Sequence, residues 1–159
     1  MERVRGRPAK ERPKVPPEVV REVKTMIKAQ HGYEGAKTRS KYYPIKRPSL
    51  MRKLKVDTKD YESTGRVKYD RELVTRIHEN DQRYIHQYER DMELVWIIEH
   101  GVSSIPDVRT RRIAEDTILK NKPVMQLLKK YSLSRSQMFW EKQNAIRYIA
   151  RTYMEWLPE

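Results

Sequence analysis

The stretch that decides the fold is Leu133-Ser134-Arg135-Ser136-Gln137-Met138. Ser134 is a strong N-cap, and Gln137, three residues on, can reach back to the Ser134 backbone N–H to complete a capping box. Leu133 and Met138 take the two positions of a hydrophobic staple. Three local signals therefore agree on one helix start. Beyond it Met138, Phe139, Ala145, Ile146, Ile149, Ala150, Tyr153, Trp156 and Leu157 recur at helical spacing, which predicts a helix over 135–157 with that face buried. Upstream, Pro123 suits a first helical turn, Val124, Leu127 and Leu128 supply an apolar stripe, and Lys129 and Lys130 stand where cations favour a helix C-terminus. Tyr131 to Leu133 join the two helices, as a helix-turn-helix requires.

On the polar face of the last helix Arg135, Ser136, Gln137, Trp140, Glu141 and Asn144 are expected to project together, with Arg147, Lys129 and Lys130 beside them. Arginine pairs bidentately with guanine, glutamine and asparagine with adenine, and glutamate accepts from cytosine, so these residue types suit the reading of base edges in duplex DNA. The alternative is an ordinary helical hairpin with a solvated polar face. Charge favours the first: residues 121–159 hold seven Lys and Arg against three acids.

Composition agrees. With 159 residues and 37% hydrophobic content, the chain can form one modest domain plus extensions. A formal charge of +13 points to a polyanionic partner, nucleic acid first and an anionic membrane surface second. No apolar run approaches the roughly 20 residues of a membrane span and no signal-peptide core follows the N-terminus, so no membrane role and a cytoplasmic location are expected. The absence of cysteine removes disulfides and thiolate metal sites. Five glycines amid many Lys, Arg, Glu and Met favour an all-α fold.

Residues 1–16 read as a basic disordered arm broken by Pro8 and Pro13. Within it Arg5-Gly6-Arg7-Pro8 resembles the core of an AT-hook, whose arginines enter the narrow minor groove of A·T-rich DNA, although a solvated basic tail would look the same. A first helix is predicted from Pro17 to about Gln30, ended by Gly32. Residues 31–69 form a basic connector without clear periodicity, with eleven Lys and Arg against three acids between 36 and 68. The connector either contacts DNA or contains short helices, for example around Ser49 to Leu54, and Tyr42 and Tyr43 either stack on bases or pack it down. A long helix is predicted over 70–100, capped by Asp70 and stopped by Gly101, with Leu73, Ile77, Tyr84, Tyr88, Met92, Val95 and Trp96 in one stripe. It carries eight acids against four arginines, which suits a brace wrapped by the connector, a self-association surface in a homo-oligomer, or a contact with a basic partner. Ile105-Pro106-Asp107 opens a support helix to about Leu119. The expected domains are the arm 1–16, a helical region 17–101 and a helix-turn-helix domain 102–159.

Catalytic patterns are missing. His78-Glu79 lacks the second histidine that a zinc-protease helix needs, since Gln82 stands there. Glu89, Asp91, Glu93 and Glu99 point in several directions on one helix rather than converging. With no phosphate loop, nucleophile signature or zinc finger, the chain reads as a binder with no metal or cofactor, not an enzyme.

The pattern from Arg112 to Leu157 resembles the helix-turn-helix of the ArpU/RinA group of bacteriophage late-gene transcription regulators, itself similar to sigma-factor region 4. The resemblance rests on Arg112-Ile113-Ala114, Ile118-Leu119, the run Leu127 to Ser136, and Phe139, Lys142, Ala145, Ile146, Ile149 and Ala150. Two departures stand out: Ser132 where the turn usually carries Gly, and Leu128 where a small Ala is usual. The resemblance implies a sigma region 4-like, sequence-specific regulator of phage or prophage late genes. Double-stranded DNA and host RNA polymerase would be its partners in a bacterial cytoplasm. A small terminase subunit and a nonspecific nucleic-acid-binding structural protein remain the alternatives.

Overall fold

In a computed structural model, which describes residues 12–29 and 32–158, the chain is all-α. Helices α1 (Pro17–Lys28), α2 (Gly32–Lys46), α3 (Pro48–Lys53), α4 (Tyr61–Thr64), α5 (Arg71–Val74) and α6 (Glu79–Ser103) lead into α7 (Val108–Ala114). A π-helical segment, Glu115–Leu119, continues α7 before α8 (Val124–Tyr131) and α9 (Arg135–Trp156). Among the described residues, the β contribution is one isolated antiparallel bridge between Asp57 and Lys68.

The start of α9 forms as its sequence dictates. The Gln137 backbone N–H donates to Ser134 Oγ at 3.1 Å, and the Ser134 N–H donates to Gln137 Oε1 at 2.9 Å. Leu133 packs with Met138, Leu127, Ile113, Leu128 and Tyr131 in a small core of the hairpin's own. Ser132 closes α8 in the left-handed region at φ 54° and ψ 49°, the conformation that glycine adopts most readily at a helix C-terminus.

The long helix differs at both ends from its expected 70–100. Asp70 caps only the single turn of α5, accepting from the Leu73 N–H at 3.0 Å, and α6 begins afresh at Glu79 behind His78, whose Nδ1 accepts from the Asn80 N–H. At the other end α6 runs through Gly101. A Cβ there would lie 2.6 Å from the Ile149 Cα, so the glycine lets α6 and α9 cross backbone to backbone rather than stopping the helix. That crossing is the centre of the main core, where Val95, Ile98 and Val102 meet Ala145, Ile149 and Ala150, with Val23 of α1 added.

The connector is mostly helical, and it packs along α6, which is the brace that it wraps. In α2, Tyr33, Ala36, Ser40 and Tyr43 are buried at helical spacing, a stripe hidden from hydropathy because two of its members are small. Opposite charges weld it to α6. Arg39 donates twice to Asp91 at 2.9 Å, Lys37 pairs with Glu99 at 2.8 Å, and Arg47 pairs with Asp81. Tyr43 stacks on Tyr88 at 4.5 Å while Tyr42 stays exposed, so the two neighbouring tyrosines part company. α3 occupies the short-helix position expected near 49–54, and Leu50, Leu54 and Val67 cover Ile85 and Tyr88. The α6 stripe whose length suggested self-association is thus largely covered within the chain, and the acids expected to face a partner are largely paired.

The hairpin does not close as a separate unit over 102–159. From Asn144 onward α9 lies in the main core against α1 and α6, and only its first turns belong to the hairpin. No helix among the described residues is long and apolar enough to cross a membrane.

Candidate nucleic-acid interface

Three helices set the interface. Asp116, in the π-helical segment, is buried beneath α8 and ties it down: Lys130 Nζ donates to Oδ2 at 2.8 Å, the Tyr131 hydroxyl donates to the same oxygen at 2.5 Å, and Lys122 pairs with Oδ1 at 3.2 Å. Burial opposes the Asp116 charge, but the donors from Lys130, Tyr131 and Lys122 outweigh it and hold the carboxyl down at about 2. Arg109 on α7 donates to the Tyr131 carbonyl, fixing the last turn of α8 against the support helix.

The face that α9 presents outward is shifted from the expected one, gaining Phe139 and Lys142 and losing Glu141 and Asn144. Arg135, Ser136, Gln137, Phe139, Trp140 and Lys142 are exposed and Gln143 is half-buried, an arc over the first two turns in which Phe139 falls between Arg135 and Ser136. Helical spacing predicts Phe139 in the core, on one stripe with Ile146, Ala150 and Tyr153. Its partners are buried while Phe139 itself is 58% exposed. The reason is a change of neighbour: the first turns of α9 bury Met138 against α8 and α7, whereas the later turns bury a different side against α1 and α6.

Several residues expected to read DNA are therefore occupied elsewhere. Asn144 is buried, at 8% exposure, and cannot reach a base edge. Glu141 accepts a hydrogen bond from the Thr110 hydroxyl at 3.0 Å, facing the support helix. Arg147 donates to the Pro13 carbonyl at 3.3 Å, and Lys130 is held by Asp116. Gln137 is exposed, yet its Oε1 is committed to the cap. Arg135, Ser136, Trp140 and Lys129 do stand on the open surface. Arg5 and Arg7 lie outside the described residues.

Other residues join this surface. Val124 and Met125 open α8 at 48% and 58% exposure, and Arg135 reaches Met125 Sδ at 3.3 Å. Arg12 lies over the Trp140 ring at 4.5 Å from its centroid, so the N-terminal segment, anchored through Pro13 on Arg147, arrives at the outward face of α9. Arg109 and Arg112 of α7 face the same opening as Lys130 and Ser132. The spacing of Phe139 after Arg135 and Ser136 was the available signal, since the first, second and fifth positions of such a helix fall on one side. No group of His, Asp and Glu among the described residues could hold a metal ion.

Neither a protein-family model, nor a curated protein, nor a solved structure matches this chain.

Proposed function

We propose that this chain is a sequence-specific duplex-DNA-binding protein that inserts the first two turns of α9 into the major groove and regulates transcription. The observation that carries the reading is the outward arc of α9: Arg135 and Ser136 expose hydrogen-bonding groups at the helix N-terminus, the end that enters a groove in this motif. The exposed cations Lys129, Arg112 and Arg12 support it, because a helix inserted in a groove is flanked by phosphates that such side chains neutralise. Regulation of phage or prophage late genes through bacterial RNA polymerase is the role that the resemblance to the ArpU/RinA group implies, and it belongs to the same proposal.

The test is selection of a bound site from a random duplex library, followed by transcription with purified bacterial polymerase on a template carrying that site. An enriched site, a transcript that rises with bound protein, and loss of both with Arg135→Ala are the expected results. Equal binding of random and selected duplexes would overturn sequence reading and leave a nonspecific coat protein. A bound site without any effect on transcript, together with stimulation of a terminase ATPase, would replace regulation by packaging.

A further inference from the structure

Four large apolar side chains stand in solvent at α8 and the start of α9: Val124, Met125, Phe139 and Trp140, between 48% and 58% exposed. Phe139 and Trp140 meet edge to face, and Met125 is reached by Arg135, one turn before Phe139, so in a chain with 36% charged residues these exposures adjoin one another and mark a contact surface. Its surroundings select the partner. Between 120 and 143 six Lys and Arg stand against a single acid, Glu141, and that acid is turned onto Thr110. Arg135 borders Met125 and Arg12 covers one side of Trp140, so two of the apolar groups each have an arginine against them. The complementary occupant is a polyanion that displays apolar groups between its charges. Duplex DNA offers one such group in the major groove, the C5 methyl of thymine.

Phe139 is placed to meet it. It lies within the outward arc of α9, between Arg135 and Ser136 in angle and one turn beyond them, so a helix that sets those two residues in a groove carries Phe139 in with them. Its ring is met edge-on by Trp140 at 6.3 Å, which steadies both rings on the surface. We infer that Phe139 is a specificity-determining residue that reads thymine methyl groups, with Met125 and Trp140 flanking it. The inference rests on the DNA-binding reading above and adds to it a preferred base and the group recognised.

Replacing each thymine of the selected site in turn by deoxyuridine, which keeps the base pair and removes only the methyl, tests it. With full-length wild type, one or two replacements are expected to raise Kd by about fourfold each, the worth of one buried methyl group. Phe139→Ala is expected to bind the thymine site more weakly and to be indifferent to those same replacements, while Phe139→Leu keeps part of the response. Circular dichroism and melting temperature unchanged from wild type establish that the exposed substitution leaves the fold intact. Equal wild-type affinity for thymine and uracil at every position overturns the inference, as does a Phe139→Ala variant as sensitive to uracil as wild type. If Phe139→Ala loses transcription while keeping wild-type affinity and uracil response, the patch binds protein and the inference is again overturned. A library that enriches no site defeats the DNA-binding reading itself, a result distinct from an enriched site read without its methyl groups.

Discussion

Residues 36–68 carry eleven Lys and Arg against three acids, and residues 121–159 carry seven against three, yet the two basic regions use their charge differently. In the connector, Lys37, Arg39 and Arg47 are turned onto carboxylates of α6, and Arg66 donates to the Trp156 carbonyl and covers its ring. In the hairpin, Lys122 and Lys130 are tied to Asp116, but Arg135, Lys129 and Lys142 are exposed, and Arg135 reaches the exposed Met125. The larger surplus is partly an internal adhesive, and the smaller one borders an open face. Segment charge therefore identifies a partner only after the acids elsewhere in the chain have been matched against it.

The strongest way to break this comparison is Arg39→Ala. Asp91 is 3% exposed and accepts both Arg39 N–H groups, with Gln87 as a further donor at 2.9 Å. Removing the guanidinium strands a buried carboxylate, so stability is expected to fall by about 3 kcal/mol in urea unfolding while the folded protein keeps its affinity for DNA. Lost affinity at unchanged stability would put Arg39 at the interface instead.

Next comes acid pH. Asp116 has its folded pKa lowered to about 2, so its stabilisation is complete above the ordinary carboxylate range near ~3.9 and is lost as pH falls toward 2. Melting curves are expected to show wild type losing about 2 kcal/mol across that window through this group, with Asp116→Asn lacking that component and already weaker at neutral pH.

Glu93 sharpens the contrast within α6 itself. Burial, and then the neighbouring Glu89 charge, push its carboxyl up to about 7, with Arg66, Arg71 and Arg90 pulling the other way. A raised acid costs stability as pH rises from its ordinary value through about 7. Glu93→Gln is therefore expected to stabilise the protein by about 1 kcal/mol at pH 8, after solvent screening, and to change little at pH 5.

The smallest effect separates capping from base reading. Gln137→Ala is expected to cost about 0.5 kcal/mol of stability through the lost half of the capping box, with little change in affinity for the selected site. A tenfold loss of affinity without loss of stability would give Gln137 back to the DNA.

Local signals were the most legible. The Ser134 cap, the Leu133 and Met138 staple and the first helix all follow from short-range chemistry, and the structure contains each of them. Two features were not legible, for different reasons. α2 hides because its buried stripe includes Ala36 and Ser40 within a lysine-rich, proline-containing run. The outward face of α9 was misplaced because one apolar stripe was extended along the whole helix, whereas the helix changes partners part-way. Phe139 and Asn144 exchanged roles as a result, and only tertiary structure reveals that exchange. Gly101 misled likewise: a glycine that ends a helix and one that admits a neighbouring backbone look alike until the neighbour, Ile149, is known.

The unbroken course of α9 has a consequence for how occupancy can be sensed. Its first turns form the outward face, and Ile146, Ile149 and Ala150 lie in the main core with no hinge between. Amide protons in those later turns exchange with solvent through large-scale opening, and a ligand held only by the folded state suppresses that opening in proportion to its saturation. Slowed deuterium uptake near Ile149, at the core crossing with Gly101, would thus serve as a remote meter of a duplex held at Arg135 under the proposed function.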